Sequence, residues 1–142
     1  MHYPRPHLAL TLLIVCGIQL GCGGPERPPM GYVSGTVTMD GEPLEKVSVN
    51  IKPDVGRAAM GQTDGKGHYE IYYNVGEKGT KIGPSTVTLS WPIGYAGPKA
   101  IPAKYTEGKS ELKLDVKKGQ QTFDIAVESD PSAKPAKVQT LD

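Results

Sequence analysis

Glycine and proline interrupt this 142-residue chain so often, 18 and 13 times, that the longest run free of both is residues 120–130. A glycine inside a helix costs roughly 1 kcal/mol and a proline about 3 kcal/mol, so long helices have little room. What the punctuation leaves intact is alternation. Val33, Gly35, Val37 and Met39 share one side of YVSGTVTM, as do Val47, Val49 and Ile51 of VSVNI, and Tyr69, Ile71 and Tyr73 of HYEIYYN. The same period of two continues through Val87, Leu89 and Trp91, through Leu112, Leu114 and Val116, and through Phe123, Ile125 and Val127. Their neighbours are mostly Ser, Thr, Lys, Glu and Asp, so each segment reads as a strand with one dry face.

Turn residues stand between these segments: Asp40 and Gly41, Asp64 to Gly67, and Lys118 with Gly119. Asp-Gly pairs adopt positive φ at little cost. With a short strand at AMGQT, residues 59–63, the count is about seven strands. Half-buried antiparallel strands need a second sheet to cover their apolar faces, which predicts an all-β, two-sheet sandwich over residues 31–128.

Residues 1–21 read as a cleaved leader. MHYPRPH precedes a 13-residue apolar stretch, LALTLLIVCGIQL, at residues 8–20. A bilayer core needs about 20 apolar residues in a helix, whereas this length suits an export signal. Gly21, Cys22 and Gly23 then follow Leu20 directly, which resembles the lipobox of bacterial lipoproteins. Gln19 and Leu20 stand where that pattern has leucine and a small residue, and Gly21 matches the small residue before the cysteine. The resemblance implies diacylation of Cys22 after cleavage, with the lipid anchoring the chain to a membrane of the bacterial cell envelope, facing periplasm or exterior. Cys16 is the poorer candidate because the β-branched Val15 precedes it. A Cys16–Cys22 disulfide conflicts with cleavage, which leaves a single cysteine.

Beyond Cys22, residues 22–30 form a Gly/Pro-rich tether and residues 129–142 a polar, proline-interrupted flexible tail. Loss of Arg5 with the leader leaves 15 basic against 15 acidic residues. A balanced, scattered charge gives no footprint for nucleic acid.

Two stretches carry a second resemblance. VSGTVTMDGEPLEKVSVNI, residues 33–51, and TDGKGHYEI, residues 63–71, are similar to carboxypeptidase regulatory-like domains, with likeness over residues 32–92. IPAKY at 101–105 and the segment from Leu112 to Val127 look like the closing half of short bacterial lipoproteins carrying that domain. The resemblance implies a seven-stranded antiparallel, transthyretin-like or Ig-like β-sandwich. It does not imply peptidase activity, which belongs to a separate catalytic domain in the enzymes that gave the domain its name.

No constellation points to catalysis or to a cofactor. His68 is the only histidine after cleavage, its parity places it opposite Tyr69 and Ile71, and one exposed imidazole makes no zinc site. GxSxG, HExxH and phosphate-loop patterns are missing from the sequence, and Asp64 to Gly67 lacks the alternating oxygen ligands of a calcium loop. Hydroxyisourate hydrolases of the transthyretin fold use several histidines and a tyrosine-containing terminus, whereas this chain ends VQTLD. An internal isopeptide crosslink would draw on Lys46, Lys52 and Asn50, none at a clearly apolar position. The expectation is therefore a non-catalytic, membrane-anchored structural or interaction module. Its alternative is a carbohydrate- or peptide-binding lipoprotein using Tyr72, Trp91 and Tyr95, with loop 92–109 the first place to look and an envelope protein or glycan as partner. A hydrolase of the transthyretin-like fold ranks last.

Overall fold

In the computed structural model, residues 27–133 and His2 are described. Alternation becomes burial along β1 (Met30–Met39), where Val33, Val37 and Met39 are sealed and Tyr32 faces out. Asp40 and Gly41, at φ 53° and 83°, close a two-residue hairpin into β2 (Glu42–Pro43). Then come β3 (Ser48–Pro53), β4 (Ala59–Gln62), β5 (His68–Glu70), β6 (Tyr72–Asn74), β7 (Glu77–Lys78), β8 (Thr80–Lys81) and β9 (Gly83–Ser90). A 3₁₀ turn at Ala103–Tyr105 interrupts the long connection to β10 (Lys113–Val116), β11 (Gly119–Thr122) and β12 (Ile125–Val127).

The strands form the two-sheet sandwich that alternation predicts. Sheet one is built around β1, which pairs with β8, β5 and β2 on one side and with β11 and β12 on the other. Sheet two runs β10-β9-β3-β4-β6-β7, antiparallel throughout. Between them lie Val37, Val47, Val49, Ile51, Val87 and Leu89, all fully buried. Each such side chain contributes about 1.5–3 kcal/mol on burial.

Two segments depart from the simplest reading. HYEIYYN is one alternating run, yet β5 pairs with β1 in sheet one and β6 with β4 in sheet two. Ile71 is the pivot: its N–H donates to the Val33 carbonyl at 3.0 Å and its carbonyl accepts from Gly79 N–H at 2.8 Å. The crossing is close, since a Cβ on Gly61 would lie 2.1 Å from the Glu70 carbonyl oxygen. TFDIAV is likewise split between β11 and β12. Across the gap Asp124 Oδ1 accepts the Thr36 N–H at 2.8 Å, standing in for a ladder carbonyl. Both β11 and β12 run parallel to β1, so sheet one is mixed where antiparallel pairing was expected.

Candidate functional site

On the outer face of sheet one the register brings together polar side chains from distant parts of the chain. Tyr32 lies opposite Gln120, and Ser34 lies between Thr122 and Glu70. With Lys78 these residues border a cleft of about 250 Å³. Glu70 Oε2 accepts from Lys78 Nζ at 2.8 Å and from the Tyr72 hydroxyl at 3.1 Å. The Lys78 hydrogen bond, seconded by Tyr72, lowers the Glu70 pKa, and the same contact raises that of Lys78. A carboxyl held ionised by an ion pair is not poised as a general acid, which needs its proton near neutral pH. The cleft instead offers an exposed Tyr32 ring, the Gln120 amide and a positioned ion pair, a set suited to stacking and hydrogen bonding, while Gln121 commits its amide to the Lys117 N–H and the Asp115 carbonyl.

Sequence reasoning missed this cleft. The available signal was Tyr32 itself, a large aromatic at a position whose parity is otherwise polar. A broader groove of about 530 Å³ lies over the outer face of sheet two, bordered by Asn50, Lys52, Thr86, Thr88 and Glu107, without an aromatic ring.

The three aromatic residues selected from sequence separate. Trp91 packs half-buried against the core and donates its indole N–H to the Lys99 carbonyl at 2.9 Å. Tyr95 meets it edge-on, the ring centroids 5.5 Å apart, and Lys46 Nζ stands 5.5 Å from the Tyr95 centroid. Gly97, at φ 68°, lies against the indole so closely that a Cβ would fall 2.0 Å from the ring. Trp91 therefore supports a loop and leaves Tyr95 and the exposed Ile93 at its tip. Tyr72 belongs to the other neighbourhood, with Glu70 and Lys78. Cys22 lies outside the described residues.

The motif residues have architectural tasks. Asp64 Oδ1 accepts the backbone N–H groups of Lys66 and His68 at 2.9 and 3.0 Å, which lowers its pKa and closes the turn. Gly67 takes the φ of 74° that this turn needs. Tyr69 is buried, and its hydroxyl donates to the Phe123 carbonyl at 2.5 Å. Burial, reinforced by the nearby Asp124 charge, pushes its pKa well up. His68 is exposed. Among the described residues no group of three or more His, Cys, Asp or Glu side chains could hold a metal ion.

No family model matches the chain, and no curated protein matches it. A solved structure similar to it is a DUF3823 family protein from Parabacteroides merdae, at 15% identity and a TM-score of 0.45. The alignment covers 74% of this chain and 48% of that one, so the chain spans about half the length of its neighbour.

Proposed function

We propose that the protein is a non-catalytic lipoprotein of the bacterial cell envelope, anchored through Cys22 and serving as an interaction module. The observation that carries the non-catalytic part is the commitment of three carboxylates: Asp64 holds a turn, Asp124 bridges a ladder and Glu70 is paired with Lys78. The anchored part rests on the lipobox-like Leu20-Gly21-Cys22 and the short apolar run before it. Intact-mass measurement of membrane-extracted protein is expected to show a chain beginning at Cys22 with added acyl mass. A Cys22→Ser variant that still fractionates with membranes and is trimmed normally would sink the anchor.

A second reading, carbohydrate or peptide binding, is favoured by the Tyr32 cleft. Its contacts are solvent-exposed and preformed, so a saccharide or peptide would meet a fixed aromatic face flanked by donors and acceptors. Glycan-array or peptide-array binding should fall at least tenfold in Tyr32→Ala and in Gln120→Ala, while Tyr95→Ala leaves it unchanged. Binding lost only with Tyr95 would move the site to the rim loop.

A further inference from the structure

The formal charge of the described domain is balanced, yet the topology sorts it between the two ends of the sandwich. At the end where β1 begins, Met30 pairs with Lys81, Gly31 packs against the Lys117 carbonyl and Arg27 reaches Glu77 at 3.5 Å. Loop 54–58 joins them, with Asp54 N–H bonded to the Pro84 carbonyl at 3.0 Å and Gly56 against Lys81. This end carries Arg27, Lys52, Arg57, Lys81, Lys117 and Lys118 against Asp54, Glu77, Asp115 and Glu107, which shares a groove with Lys52 and Asp54. Two of its cations are paired, Arg27 with Glu77 and Lys117 with Asp115. Lys52, Arg57, Lys81 and Lys118 have no carboxylate partner among the described residues.

The opposite end has the reverse balance. Asp40, Glu42, Glu45, Asp64, Glu128 and Asp130 surround β1's exit, with Lys46, Lys66, Lys99 and Lys104, the last near Glu128 and Asp130, in the minority. Large apolar side chains crown both ends, Ile93 at the acidic one and Val55, 73% exposed, with the fully exposed Val75 at the tips of two loops of the basic one, where they stand beside a cationic excess.

We propose that this basic, valine-tipped rim docks on an anionic lipid bilayer. Cations that attract headgroups beside apolar tips that can enter the interface are what a bilayer surface rewards; phosphate on a nucleic acid gains nothing from exposed valine. Chain direction agrees. The inference rests on the anchored reading in one respect, that the eight residue-to-residue steps from Cys22 to Met30 extend at most about 29 Å and so hold this rim, rather than the acidic one, against the headgroups. Like-charge repulsion at the acidic end disfavours the inverted pose.

The test uses the full chain carrying Cys22→Ser, so that no acyl group contributes. Co-sedimentation is measured with vesicles of equal parts phosphatidylglycerol and phosphatidylcholine, and with phosphatidylcholine alone. Partition to the anionic vesicles should weaken with added salt. It should fall about fivefold for each of Arg57→Glu, Lys81→Glu and Lys118→Glu. Val55→Ser with Val75→Ser, at exposed tips where folding is not at risk, should also weaken it. Lys46→Glu with Lys66→Glu, at the acidic end, should not. Every variant keeps the apolar residues 8–20, so differences report the rim. Equal partition of rim variants and parent, an equal effect of the acidic-end variant, or binding to soluble heparin with none to vesicles would each overturn the proposal. Absence of acyl mass at Cys22 would remove the anchor and leave this result standing.

Discussion

Asp40 shows how one exposed side chain can tie three parts of the chain together. Its Oδ1 accepts the Ser129 N–H at 2.9 Å, its Oδ2 pairs with Lys99 at 2.9 Å, and its own N–H donates to the Val127 carbonyl at 3.0 Å. Hydrogen bonds from Ser129, ahead of the Lys99 contact, lower its pKa from 3.8 to about 2. A folded-state pKa below the unfolded one means that the native protein binds the proton less readily, so this contribution to stability is present above pH 3.8 and lost as pH falls toward 2. Urea midpoints of the parent and of Asp40→Asn should therefore differ at pH 5 and converge near pH 2. A gap that persists unchanged at pH 2 would show that ionisation is not what the residue contributes. Thr80 is the opposite case: its hydroxyl is buried without a partner among the described residues.

At the scale of elements, alternation located the strands but not their partners. Both sheets turn their apolar faces inward, so the parity of Tyr69, Ile71 and Tyr73 is the same on either side of the crossing at Ile71. Phe123, Ile125 and Val127 likewise keep step across the gap that Asp124 bridges. Nor does side-chain parity distinguish parallel from antiparallel pairing, which is why the direction of β11 and β12 beside β1 was not legible. The crossing itself rests on Gly61, where a methyl group would collide with the Glu70 carbonyl. Gly61→Ala should destabilise the fold by about 1–3 kcal/mol, the range for overpacking, read by urea denaturation with β5 and β6 amides exchanging fastest. An unchanged midpoint would mean that the crossing has room to spare.

For the molecule as a whole, the sandwich and its core were written in local pattern, whereas the candidate surfaces were not. The cleft needs Tyr32 beside Gln120 and Ser34 beside Glu70, neighbours only once the sheet has assembled. A net charge near zero hides its own segregation, since summing along a chain discards where each residue ends up. Trp91 illustrates the converse: its parity with Val87 and Leu89 pointed to the core, and there it supports the loop that carries Tyr95. The parallel pairing of β1 with β11 and β12 has a mechanical corollary. The described chain enters β1 at one end and leaves β12 at the other, so tension drawn between those points loads the interstrand ladder lengthwise. Its bonds then resist together instead of unzipping singly, so rupture under such a pull demands a larger force than peeling would.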